Sequence, residues 1–235
     1  MILLAIDTSG KQGSIALAWD GRRSAADGDL EVPEDDLQVL ETVPLLGGTF
    51  SAQLVPQISE LLSRHGFTKQ DIGAFAVVSG PGSFTGLRIG LAVVKALAEV
   101  LTKPIAAISL LEVCAATSGA QGKVMAALDA GRGDVYVGEY EIPASSQESP
   151  REHLLSRNEF LAQARGWTVV TPDSALAGAA RSAGLFVATL PPITASAVAD
   201  LGWKKIQSGA TVTSTQLEAN YIRRSDAEML ERIRS

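Results

Sequence analysis

The chain has 235 residues, of which 46% are apolar and 20% charged, and a formal charge of −6 at pH 7. That length suits one large domain or two small packed ones, and the composition excludes an intrinsically disordered chain. No apolar run approaches the roughly 18 residues that cross a bilayer, and an acidic balance with three Trp and three Tyr offers no broad basic field and few stacking rings for nucleic acid.

Leu3–Asp7 and Ser14–Trp19 read as two strands joined by the turn Thr8–Gly13, because short apolar runs bounded by Gly and Ser are strand and turn signals. The apolar start lacks a basic leader and is cut short at Asp7, so no export signal is expected. Asp20-Gly21 marks a second turn, after which residues 22–28 return as a third antiparallel strand. Residues 29–48 hold Pro33, Pro44, Gly47, Gly48 and several carboxylates, which reads as a long surface loop.

Phe50, Leu54, Ile58, Leu61 and Leu62 recur at helical spacing, so residues 50–64 form an amphipathic helix, with a bend or a start near Pro56. Ala74–Ser79 is a buried strand, a long helix covers residues 83–101, and Ile105–Ile108 is a further strand. Leu110–Ala116 is an apolar helical run containing Cys114, the single cysteine. One thiol closes no internal disulfide, which fits a reducing, cytoplasmic setting. Val124–Leu128 and Val135–Glu141 are strands around a turn at residues 129–133, and residues 143–152 are an exposed loop. Helices near 157–165, 173–182 and 194–208 and a strand at Trp167–Val170 complete an α/β pattern. A boundary after residue 106 gives an N-terminal lobe, 1–106, and a C-terminal lobe with tail, 107–235. At the end, Arg223, Arg224, Arg232 and Arg234 are interleaved with Asp226, Glu228 and Glu231, the pattern of a solvated face or tail.

The most informative stretch is Gly80-Pro81-Gly82-Ser83-Phe84-Thr85-Gly86-Leu87-Arg88-Ile89-Gly90. Its plain reading is a tight strand-to-helix turn with Ser83 as helix cap; its sharper one is a phosphate cradle. It lacks the Gly-Lys-Ser/Thr ending of a P-loop and the spacing of a dinucleotide fingerprint. Along the helix, Gly86, Gly90, Val93 and Leu97 form one stripe and Leu87, Leu91, Val94, Ala98 and Leu101 an adjoining one. Only Arg88, Ala92, Lys95 and Glu99 are left as an outer strip. Glycine in a helix costs roughly 1 kcal/mol and lets another backbone approach. A helix, such as that at 50–64, is the natural neighbour, and spacing leaves open whether the stripe is buried within the fold or against another subunit.

These residues, with Leu3-Leu4-Ala5-Ile6-Asp7-Thr8-Ser9, Ser109-Leu110-Leu111-Glu112, Leu128-Asp129-Ala130, Arg132, Val135-Tyr136 and Tyr221-Ile222-Arg223, resemble the TsaB (YeaZ) family of the acetate-kinase, Hsp70 and actin-like superfamily. The resemblance implies an α/β fold of the actin-like/Hsp70-like (ASKHA) type, two related lobes each with a mixed sheet and flanking helices. It implies a non-catalytic subunit of the complex that forms threonylcarbamoyladenosine next to the anticodon of tRNA, with no cofactor. Its partners would be the catalytic paralogue TsaD, a TsaE-like ATPase, tRNA through the complex only, and a second copy when alone; no membrane is involved. The interface would use Phe50, Leu54, Ile58, Leu61, Gly86, Ile89, Gly90, Val93 and Leu97. The chain departs from the family pattern in having Phe50 where His is usual, Ala219 where Pro is usual, and a longer segment at 29–48.

Metal-dependent hydrolysis needs two or three closely spaced ligands, but the chain has only His65 and His153, and the His-x-x-x-His pair of the catalytic paralogue is missing, so no metal is expected. Asp7-Thr8-Ser9-Gly10 resembles the first phosphate loop of actin-like ATPases and Asp129-Ala130-Gly131 the second. Asp7, Thr8, Ser9 and Asp129 thus form a vestigial nucleotide loop set. The alternative function is a nucleotide-binding phosphotransferase of actin-like fold.

Overall fold

The computed structural model describes residues 1–21, 37–143 and 150–222. The predicted strand at 22–28 and the basic tail of Arg223, Arg224, Arg232 and Arg234 lie outside them. The described chain falls into two compact units: residues of Met1–Ile108 with Thr194–Ala219, and Ser109–Ile193 with residues 220–222. The sequence expectation drew one cut after 106, whereas here the chain returns to the first unit for residues 194–219.

The first unit is built on β1 (Ile2–Asp7), β2 (Gly13–Trp19), β3 (Gln38–Leu45), β4 (Ile72–Gly80) and β5 (Ile105–Ser109), in the sheet order β3-β2-β1-β4-β5. β1 and β2 are antiparallel, with Ile2 opposite Trp19 and Asp7 opposite Ser14, and β1 runs parallel to β4. β1 is buried along its whole length, as expected of a strand covered on both faces. Its helical neighbours are α2 (Phe84–Leu101) and α6 (Ala195–Gln207), while α1 (Phe50–Arg64) packs on β2 and β3. Ile6 lies beneath Gly90 of α2, while Ala76 of β4, in register with Ala5, lies beneath Gly202 of α6. Successive strand residues point to opposite faces, so α2 and α6 cover opposite sides of this sheet. The N-terminus of α6 is capped from 181 residues away, by a 2.8 Å hydrogen bond that the Ala195 N–H donates to the buried Ser14 Oγ.

β3 corrects the expected loop at 29–48. It is an edge strand that pairs antiparallel with β2, with Pro44 opposite Ser14. Edge strands tolerate proline because one side of their backbone needs no ladder partner. α1 continues through Pro56, so the helix does not start there.

The second unit repeats this plan. β6 (Gly122–Gly131), β7 (Asp134–Ile142), β8 (Arg151–Ser156), β9 (Thr168–Thr171) and β10 (Phe186–Thr189) lie in the order β10-β9-β6-β7-β8. Numbered from its own first strand and read from the other edge, that order is the 3-2-1-4-5 of the first sheet. Here too an antiparallel meander of three strands continues into a parallel strand beside the first. β6 alternates: Val124 and Ala126 pack with Leu111 and Cys114 of α3 (Leu110–Thr117). Met125 and Ala127 pack with Phe160 of α4 (Arg157–Gln163) and Leu176 and Ala180 of α5 (Ser174–Ser182). Cys114 is therefore a core residue, fully buried. β8 and β10 are strands that the sequence patterns did not pick out, and β8 shortens the loop expected at 143–152. Among the described residues no helix is long and apolar enough to cross a membrane.

Candidate functional site

α2 begins where β4 ends, and its first turn is capped by the Ser83 Oγ, which accepts from the Gly86 N–H at 3.3 Å. Its inner face, Gly86, Leu87, Gly90, Leu91, Val94 and Ala98, is buried. The outer face is unusually apolar for an exposed surface: Ala92 and Ala96 are exposed, Ile89, Val93 and Leu97 are half-buried, and Val100 is 74% exposed. α1 packs beside α2 and exposes Ala52, Pro56 and Val55, the last 56% exposed. At the N-terminal end of this surface the Arg88 guanidinium lies 3.7 Å over the Phe84 ring, a stack that leaves a planar cation with an apolar back.

The predicted interface residues divide on this surface. Ile89, Val93 and Leu97 lie on the accessible side of α2. Phe50, Leu54, Ile58 and Leu61 do not: each is at most 5% exposed and lies in the core of its own unit. The space a Cβ on Gly13 would take is bounded by the Phe50 ring, so the residue standing for the usual His is a core contact and not a surface one. Gly86 and Gly90 are also inward. A Cβ on Gly86 would lie 2.0 Å from the Thr8 carbonyl oxygen, and one on Gly90 would lie 2.4 Å from Thr8 Oγ1. What the glycines admit is Thr8 of the β1–β2 loop, by its backbone at Gly86 and its side chain at Gly90, and not a second helix. Val55 of α1 and Phe84, Arg88, Ala92, Ala96 and Val100 of α2 are exposed residues that the interface expectation lacked. The available signal was the outer strip on α2, where Ala92 stands between charged neighbours.

The first phosphate-type loop is closed on itself. Asp7 is 5% exposed, and its Oδ1 accepts from the Ser9 N–H at 2.8 Å and from Ser9 Oγ at 2.6 Å. Burial pushes the Asp7 carboxyl above its ordinary range, against the two Ser9 hydrogen bonds. Thr8 Oγ1 donates to the Gly86 carbonyl at 2.8 Å, and the Ser83 N–H donates to the Ser9 carbonyl at 2.7 Å. In the second unit Asp129 is exposed at the β6–β7 turn, where its Oδ1 accepts from the Gly131 N–H at 3.2 Å.

Neither histidine is arranged as a metal ligand. His65 Nε2 lies 2.9 Å from Glu41 Oε2, and Arg64 Nη2 lies 2.8 Å from Glu41 Oε1, which ties the end of α1 to β3. The His65 hydrogen bond, with the Arg64 contacts, holds the Glu41 carboxyl below the usual carboxylate range. His153 stands 3.8 Å from Glu139. Among the described residues no three His, Cys, Asp or Glu side chains are grouped to hold a metal ion.

A family model for TsaD, tRNA N6-adenosine threonylcarbamoyltransferase, matches residues 46–172, more than half of the chain. The tRNA threonylcarbamoyladenosine biosynthesis protein TsaB of Bacillus subtilis is 35% identical over 142 residues, covering 60% of this chain and 56% of that one. The TsaB of Escherichia coli is 33% identical over 145 residues, covering 60% and 55%. The chain belongs to the TsaB (YeaZ) branch of this family. The matched stretch spans little more than half the length of either TsaB. The solved structure of YeaZ from Pseudomonas aeruginosa superposes with a TM-score of 0.67 at 25% identity, over 94% of this chain and 99% of that one. A tRNA N6-adenosine threonylcarbamoyltransferase of Anaeromyxobacter is also 35% identical, but over 113 residues and only 34% of its length. The family likeness therefore reaches further along TsaB than along the transferase.

Proposed function

We propose that this protein is the non-catalytic partner subunit of a threonylcarbamoyladenosine-forming complex. It docks a TsaD-like transferase onto the outer face of α1 and α2, and tRNA and a TsaE-like ATPase join through that complex. The observation that carries this reading is the outer surface of α2, where Ile89, Ala92, Val93, Ala96, Leu97 and Val100 stand together on a helix whose inner face is already buried. A contiguous apolar surface on a folded unit marks an interaction site, and this one carries no general base or nucleophile. The sequence supplies two separated histidines and no His-x-x-x-His pair, which leaves the transfer step to the paralogue.

The test is reconstitution from ATP, bicarbonate, threonine and tRNA with the adenylate-forming enzyme, the TsaD-like protein and the TsaE-like ATPase. Modified adenosine should accumulate when this protein is added and fall to background when it is left out. Full modification without it, or modification by it in the absence of the TsaD-like protein, would overturn the reading.

A further inference from the structure

Three glycines spaced four residues apart, Gly82, Gly86 and Gly90, lead into and along α2. Each meets the same loop. A Cβ on Gly82 would lie 2.6 Å from Ser9 Cβ and the Ser9 carbonyl oxygen, one on Gly86 2.0 Å from the Thr8 carbonyl oxygen, and one on Gly90 2.4 Å from Thr8 Oγ1. Gly86 and Gly90 share a face of α2 and Gly82 lies just before it, so together they leave room for residues 8 and 9. Two hydrogen bonds fasten the loop in that groove: Thr8 Oγ1 to the Gly86 carbonyl at 2.8 Å and the Ser83 N–H to the Ser9 carbonyl at 2.7 Å.

We propose that the Asp7–Thr8–Ser9 loop is a bolt that positions α2, with Thr8 as the positioning residue, and that it does not act as a phosphate cradle. A cradle must aim its donors at an incoming anion. Here the Ser9 N–H and Oγ–H turn back onto Asp7, and the Thr8 hydroxyl is spent on Gly86. The close approach of α2 leaves Gly82 and Gly86 against Ser9 and Thr8. Asp7 shapes the loop by holding Ser9, and burial at 5% exposure suits a structural carboxyl. The bolt fixes the start of α2, so it sets the alignment of Ile89, Ala92 and Val93 on the outer face. That functional consequence rests on the docking role proposed above, while the bolt itself does not.

Thr8→Val keeps the shape of the side chain and removes the hydroxyl; Thr8→Ser keeps the hydroxyl. In the full chain, hydrogen exchange of the α2 amides at residues 86–90 should be roughly five- to tenfold faster in Thr8→Val, the loss of about one hydrogen bond, and near the wild-type rate in Thr8→Ser. Affinity for the TsaD-like partner should fall in the same order. Unchanged exchange at 86–90 in Thr8→Val would overturn the bolt. So would slowed exchange at the Ser9 and Ser83 amides of the wild-type protein on adding MgATP, because that would show the loop receiving phosphate. If the wild-type protein does not bind the TsaD-like partner, the docking role fails and the exchange data still decide the bolt.

Discussion

Alanine substitution at Gly86 and Gly90 measures how tightly α2 is pressed onto the β1–β2 loop. At Gly86 the new Cβ would sit 2.0 Å from the Thr8 carbonyl oxygen, a backbone atom that can withdraw only if β1 or α2 shifts. Overpacking of this kind typically costs about 1 to 3 kcal/mol, with the upper end apt here, and is offset by about 1 kcal/mol of helix propensity gained on replacing glycine. The net loss is about 2 kcal/mol, or a fall in Tm of about 4 to 8 °C for a chain of this size. At Gly90 the obstacle is Thr8 Oγ1 at 2.4 Å, and the next atom, Thr8 Cβ, is at an ordinary 3.6 Å. Gly90→Ala should therefore cost about 1 kcal/mol, and Thr8→Ala should relieve it, giving a coupling of about 1 kcal/mol in the double-mutant cycle. No change at Thr8 that keeps the backbone should rescue Gly86→Ala. The assay is denaturation of the purified single and double variants followed by circular dichroism. Wild-type stability in Gly86→Ala combined with loss of partner binding would refute the inward assignment, since it would place the glycine row at a subunit seam.

Ser14→Ala removes the cap of α6 and leaves the buried Ala195 N–H without its 2.8 Å acceptor; a loss of about 0.5 to 2 kcal/mol is expected in urea denaturation. Ala92→Glu places a charge on the exposed apolar face and should abolish co-purification with the TsaD-like partner while leaving Tm within about 2 °C of wild type, in keeping with a surface change of under about 0.5 kcal/mol. Asp7→Asn keeps an acceptor for Ser9 and removes a buried charge. The Asp7 carboxyl is raised by burial above 3.8 in the folded state, so protonation favours folding: its contribution is fully present below 3.8, and is lost as pH rises through the raised folded value. Asp7→Asn should thus be more stable than wild type at pH 7, with the gap closing on acidification through that window; a pH-independent gap, or a less stable variant at pH 7, would contradict the burial argument.

The limits of the sequence reading have identifiable physical causes. Glycines four apart on a helix state that something approaches closely, and that much was legible at Gly86 and Gly90. What approaches is a loop 78 residues earlier for the Thr8–Gly86 bond, and helical periodicity holds no record of distant partners. β3 was hidden because all but one of its residues remain partly or fully exposed, so it lacks the alternation of a half-buried strand, and Pro44 and Glu41 read as loop residues. β10 spans only four residues, none of them buried, so unlike the equally short β9 it shows no buried apolar run. The two-lobed plan was implied by the resemblance that Gly80–Gly90 carries, whereas β1, β2, β6 and β7 were legible in themselves as strands on either side of Gly-containing turns.

Phe50, Leu54, Ile58 and Leu61, expected at an interface, lie in the core of their own unit for a more general reason. The strongest apolar stripe of an amphipathic helix is the one its own sheet covers, because folding of the unit depends on that burial before any partner arrives. A surface reserved for a partner must also remain compatible with water while the chain is alone, which favours small residues and edges softened by charge. On the proposed docking face of α2 that would fit Ala92 and Ala96, flanked by Arg88 stacked on Phe84 and by the half-buried Lys95. Such a face is faint in a hydropathy pattern and becomes visible only after the inner stripe has been assigned to the sheet. Ile89, Val93 and Leu97, at the boundary between the two stripes, are the expected positions that the structure leaves partly accessible. Substituting them should perturb both stability and association, whereas changes at Val55, Ala92 or Ala96 should separate the two.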